Sequence, residues 1–123
     1  MTRVAIPDWN GQVSPVFDVA SRVLVVDLEG GRELHREIAG LSGLTPAGRV
    51  LRLEALGVKT LVCGAISRPL EELAGAHGIS VVALVSGSVD TVERIMAEGR
   101  PIPEACLLPG CRQPRIQPSA RGR

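Results

Sequence analysis

Residues 59–66 read KTLVCGAI, an apolar run without alternation. A strand of this kind belongs in a sheet that is covered on both faces, as parallel strands usually are. The flanking segments supply the covers. In LSGLTPAGRVLRLEALG, residues 41–57, Thr45 is placed to cap a helix and Pro46 suits its first position. Val50, Leu51, Leu53 and Leu56 then follow at helical spacing until Gly57. SRPLEELAGAHG, residues 67–78, begins another helix with Ser67 as cap and Pro69 in the first turn, and Gly78 stops it. ISVVALV is a further strand, and SGSVDTVERIMAEG holds a helix from about Val89 to Glu98.

The first forty residues have a different period. RVAIP (3–7) alternates and ends at a proline, and RVLVVDL (22–28) is a second strand. RELHREIA (32–39) alternates after a Gly30-Gly31 turn, so the second and third strands form a hairpin. The connection rules join these strands and the later ones in one sheet, with the first strand beside Thr60–Cys63. The expected fold is α/β: three layers in a ribonuclease H-like arrangement, with a five-stranded mixed sheet of order 3-2-1-4-5 and helices on both faces. Residues 1–100 are the expected domain. Residues 101–123 are a Pro- and Arg-rich tail, and its prolines at 101, 103, 109, 114 and 118 argue against helix or strand there.

Charge and hydropathy narrow the function classes. No apolar run approaches the roughly 20 residues of a membrane span, and MTRVAIPDWN lacks the apolar stretch of a signal peptide. A cytoplasmic protein without a membrane partner is expected. The last twelve residues hold four arginines and no acid, which leaves the other 111 with a net charge of −3. That balance does not suit a general nucleic-acid binder, and the tail is expected to be solvated and disordered.

Ligands of open α/β sheets bind beyond the carboxyl ends of the strands. Three segments converge there: PDWNGQVSPVF after the first strand, CGAIS after the fourth and SGS after the fifth. Two of them lead into helix N-termini, which favour anions. Gly64, Ala65, Gly87 and Ser88 are candidates for backbone contacts, with Ser67 and Ser86 nearby. Arg68 would offset negative charge. Trp9 and Phe17, the only aromatic residues, would shield a ligand from water.

Three cysteines in such a protein suit free, metal-binding or redox-active thiols. Cys106 and Cys111 in CLLPGC are turned toward one another by Pro109-Gly110, which suits a soft metal, an iron–sulfur fragment or a reversible disulfide. Cys63, at the end of a buried strand, is either a small core residue or a third ligand. A partner chain could supply a second pair. His35 and His77 belong to no ligand cluster and read as surface or interface residues. Asp8 and Asp18 lie in or near the edge loops, but the fourth strand ends in Cys63-Gly64 without the acid a two-metal nuclease would need. No acid, base and nucleophile assemble, so an enzyme is not expected.

Taken together, VAIPDWNGQVSPVFDVASRVLVVDLEGG and LEALGVKTLVCGAISRPLEELAGAHGISVVALVSGSVDTVERIMAEG resemble the dinitrogenase iron–molybdenum cofactor biosynthesis family, of the NifX and NifY type and also fused to the end of NifB. The resemblance covers roughly residues 3–100 and rests on the opening IP…G.VSP.F, the CGAI turn and the SG.V turn. It implies a ribonuclease H-like fold and a non-catalytic protein that binds and carries iron–sulfur or iron–molybdenum clusters between a donor and an acceptor protein. Many members carry SPHF, with a histidine suited to bind a cluster, where this chain has Val16. Either CLLPGC supplies replacement ligands or this member does not bind clusters. A metal-free module for a small anion or a protein, and a thiol redox switch, are the alternatives. The hairpin edge could also pair two chains as a homodimer.

Overall fold

Val23–Leu28 are buried without a break, because the strand that carries them lies inside a sheet with helices on either side. In the computed structural model, which describes residues 1–120, that strand is β3 (Arg22–Glu29). It lies between β1 (Thr2–Trp9) and β4 (Arg32–Gly40), antiparallel to both. β1 pairs in parallel with β5 (Thr60–Val62), and β5 with β6 (Ser80–Ala83). The order β4-β3-β1-β5-β6 is the one expected from the sequence.

Two further strands correct the expected five. β2 (Gln12–Val13) folds back on β1 through Asn10 and Gly11, whose φ values of 52° and 84° make the tight hairpin turn that Asn-Gly favours. β7 (Arg115–Gln117) pairs antiparallel with β6 and extends the sheet to the order β4-β3-β1-β5-β6-β7. Pro114 and Pro118 flank β7 rather than interrupt it, so no ladder bond is lost. Of the last twelve residues, expected to be disordered, Arg115–Gln117 pair with β6 and Ala120 N–H bonds Gly75 O, while residues 121–123 lie outside the described part.

Three helices flank the sheet. α1 (Pro46–Ala55) and α2 (Arg68–Ala76) cover Ala5, Val23, Val25, Leu61 and Val81 on one face. α3 (Val89–Ala97) covers Val4, Ile6, Leu24 and Val26 on the other. Alternate residues of β1 and β3 thus feed two separate cores. The Thr45 hydroxyl accepts from Gly48 N–H at 2.9 Å and Ser88 accepts from Thr91 N–H at 3.4 Å, as N-caps do. Arg3 ties the layers together: its Nε and Nη2 lie 2.7 and 3.0 Å from the Asp27 carboxylate, and Nη1 donates to Leu56 O at 2.8 Å. Among the described residues no helix is long and apolar enough to cross a membrane.

Candidate functional site

Four segments lie side by side where the parallel strands end. The loop after β2 runs beside the CGAI turn: Ala65 N–H donates to Pro15 O at 2.8 Å, and Phe17 N–H to Ala65 O at 2.9 Å. Next comes Leu84, whose N–H bonds Gly64 O at 2.9 Å. Last is the CLLPGC segment, with Ser86 N–H to Cys106 O at 2.9 Å, Ser86 Oγ to Leu107 O at 2.8 Å and Leu108 N–H to Leu84 O at 2.9 Å. The convergence expected from the sequence is present, and the tail adds a fourth member to it.

The chain itself occupies much of this edge. Asp18 Oδ1 accepts from Ser67 N–H at 3.0 Å at the start of α2, where the Ser67 side chain makes no capping bond. A carboxylate there satisfies the helix terminus as a bound anion would. At α3, Val89 N–H donates to Gly11 O at 2.9 Å, and Val13 N–H to Gly87 O at 2.8 Å. The backbones of Ala65 and Gly87 are therefore engaged by the segment from Val13 to Phe17, that of Gly64 by Leu84, and Ser88 by its own helix. Arg68 is exposed in the first turn of α2.

Phe17 departs from the sequence reading. It is 0% exposed and packs with Val23, Leu53, Cys63 and Leu70 in the core, so it cannot stand at the surface as a shield. Trp9 does stand there, 59% exposed, on a groove of about 360 Å³ formed with Ser14, Pro15, Val16, Val19 and Ala20. Val16 is thus an apolar wall residue. Val16 bridges to Ala65, whereas Leu107 bridges to Val85, in the next segment along the edge. The thiols of CLLPGC therefore belong to a separate part of the edge.

All three cysteines are free. Cys63 is fully buried, and burial together with the Glu71 charge holds its thiol well above the ordinary range. Cys63 packs in the larger core with Phe17 and Leu70. Cys106 and Cys111 are half-buried on either side of a turn in which Gly110 has φ +87° and Cys111 N–H donates to Leu108 O at 3.1 Å. Among the described residues, no three His, Cys, Asp or Glu side chains come together as a metal site. The triad of Cys63, Cys106 and Cys111 is therefore not assembled. His77 Nδ1 lies 2.9 Å from Glu54 Oε1, and His35 Nε2 lies 3.8 Å from Glu37.

Sequence reasoning missed the roles of two acids. Asp18, an acid close to a loop proline, becomes the cap of α2 from 49 positions away. Glu71, only 1% exposed, meets Arg115 of β7 at 2.9 Å, and Arg115 also donates to Ile66 O. An acid on the apolar side of α2 was the available signal.

A model of the family described as dinitrogenase iron–molybdenum cofactor matches residues 1–99. Among solved structures, PH0822 is 26% identical with a TM-score of 0.76, over 80% of this chain and 91% of that one. A candidate NifB protein of the DUF35 family from Thermotoga is 29% identical with a TM-score of 0.66, over 81% and 90%. The apo form of the orange protein from Desulfovibrio gigas is similar in fold, at 22% identity and a TM-score of 0.63, over 94% and 97%. No curated protein matches the sequence.

Proposed function

We propose that this chain, which belongs to the dinitrogenase iron–molybdenum cofactor family, is a non-catalytic carrier of an iron–sulfur or iron–molybdenum cluster. The supporting observation is the CLLPGC turn. Two half-buried thiols flank it, and its backbone is pinned to Ser86 and Leu84 beyond the carboxyl ends of the parallel strands. A firmly held cluster takes about four thiolates. Two thiols hold such a cargo incompletely, so the rest of its ligands come from a donor or acceptor protein or from a second copy of the chain. An incomplete ligand set suits a protein that hands its cargo on. Trp9 and Val16 then serve as a separate apolar contact for the exchanging protein rather than as ligands.

The test is iron and sulfide content after anaerobic reconstitution, with the Cys106→Ser/Cys111→Ser double variant beside the wild type. Iron, sulfide and thiolate-to-iron absorption in the wild type alone are expected. Equal content in both proteins would remove the thiols from the site, and zinc in place of iron would make it a structural metal site.

A metal-free binding module is the second reading. It is favoured by the apolar groove at Trp9 and by the filling of both helix N-termini by the chain's own loop. It predicts neither iron nor zinc in either protein, together with a partner whose binding is lost in Trp9→Ala.

A further inference from the structure

Of the eight large hydrophobic side chains left exposed among the described residues, three stand on one groove: Trp9, Val16 and Val19. Pro15 completes its apolar walls, and no charged side chain lines it. The walls are fixed in place. Beneath them Phe17 is locked in the core, and Ala20 N–H donates to Phe17 O at 3.0 Å. Arg49, 8% exposed, donates from Nε to Ala20 O at 3.0 Å, and Ser21 O accepts from Leu41 N–H at 2.8 Å. A preformed apolar hollow of this kind is where binding sites lie.

One polar group of the groove is not used by the fold. Ser14 lines it and is only 5% exposed. Its N–H donates to Pro7 O at 2.9 Å, but its hydroxyl has no hydrogen-bond partner among the described residues. Every fully buried polar side-chain atom among those residues is bonded, so the Ser14 hydroxyl is not sealed off and opens on the groove. A half-desolvated hydroxyl costs free energy until something bonds it. The occupant is therefore uncharged, apolar over most of its surface, and tipped with a hydrogen-bonding group. The volume of about 360 Å³ lies at the lower end of the range for ligand pockets, which suits one ring rather than a helix.

We propose that the groove receives a tyrosine side chain of the exchanging protein, with its ring against Trp9 and its hydroxyl bonded to Ser14. Tyrosine joins an apolar ring to a polar tip, and an aromatic pair gains more than its buried area alone supplies. Aromatic anchors in small pockets carry much of the energy of protein interfaces. A leucine or phenylalanine would leave the Ser14 hydroxyl unbonded, and a charged side chain would lose its hydration in a groove without a counter-charge. The proposal rests on reading this groove as the contact for the exchanging protein, and not on the thiols.

The experiment uses the chain's single tryptophan, whose indole N–H gives one NMR cross-peak. N-acetyl-tyrosinamide, N-acetyl-phenylalaninamide and N-acetyl-leucinamide are titrated separately into the wild type. The tyrosine amide should shift the indole peak and bind about 3–10-fold more tightly than the phenylalanine amide, the difference that one hydrogen bond makes. The leucine amide should leave the peak in place. Ser14→Ala should unfold at the same urea concentration as the wild type, because its hydroxyl bonds nothing in the fold, and should bind the two aromatic amides equally. Equal binding of the two by the wild type, or a shift with neither, would overturn the proposal, as would a clear loss of stability in Ser14→Ala. The Cys106→Ser/Cys111→Ser variant should bind the tyrosine amide as the wild type does, so a chain that holds no cluster leaves this result standing. Loss of tyrosine binding in that variant would overturn the groove as the site.

Discussion

Gly64 and Pro15 meet backbone to backbone: a Cβ on Gly64 would stand 2.6 Å from the Pro15 carbonyl oxygen and 2.8 Å from that of Ser14. The φ of Gly64 lies outside the left-handed region, so space rather than backbone freedom requires a glycine here. Gly64→Ala must push the 14–17 loop off the sheet edge and strain the bonds that Ala65 makes to Pro15 and Phe17. We expect a loss of about 2 kcal/mol in urea unfolding. A loss under about 0.5 kcal/mol, the range of ordinary surface changes, would mean that the loop adjusts freely.

Phe17 and Trp9 should separate cleanly by their effects on stability. Phe17→Ala empties a fully buried site in the larger core and should cost about 3–5 kcal/mol. Trp9→Ala removes an exposed ring and should stay within about 0.5 kcal/mol. Denaturant titration of the two variants side by side checks this. Equal losses would place Trp9 in the fold rather than on a binding groove.

The Arg115–Glu71 pair decides how firmly the tail is held. Glu71 is buried, and its cation comes from β7, so Arg115→Gln leaves a carboxylate without its counter-charge in the core. Breaking such a pair costs about 3–5 kcal/mol when both partners are buried. Arg115 is 38% exposed, which reduces the expectation to about 2 kcal/mol. The Glu71→Leu/Arg115→Leu double variant should recover most of the loss, because no charge is then left buried. Thermal unfolding of the single and double variants tests both statements. A single variant as stable as wild type would show that the tail does not need this anchor.

The order of the inner strands was legible because a change of hydrophobic period and the rules for parallel crossovers leave few arrangements. β7 was not. Arg-Ile-Gln between two prolines has no periodicity of its own, and the open edge of β6 and the buried charge of Glu71 make it a strand. The meeting of loops at the carboxyl edge was legible, since each follows directly from a strand. Its filling was not, because the Asp18 bond to Ser67 joins residues far apart in the chain. Phe17 misleads in the same way: a loop proline two residues away suggests the surface, and only the path of the loop over CGAI turns the ring inward.

The thiols should report their surroundings directly. Cys106 and Cys111 are half-buried at a turn, whereas Cys63 is sealed in the core with its thiol held protonated. A thiol reagent added to the native, reduced protein should modify two cysteines per chain, and the third only after denaturant is added. Modification of all three at one rate would show that the CGAI turn opens readily.

Stability should depend on pH through Glu93, and the sign follows from its raised value. Burial holds the proton of folded Glu93 up to about 7, while its ordinary value is 4.5. Between these values the folded chain binds more protons than the unfolded one, so raising the pH favours unfolding. The contribution is fully present below about pH 4.5, declines through neutrality and is gone above about pH 8. Glu33 does not reverse this sign, because its lowered value makes it titrate at more acid pH. In urea unfolding the wild type should therefore lose about 2 kcal/mol between pH 5 and pH 8 relative to Glu93→Gln, which cannot titrate. Parallel pH profiles for the two proteins would show that the Glu93 carboxyl is ionised throughout that range.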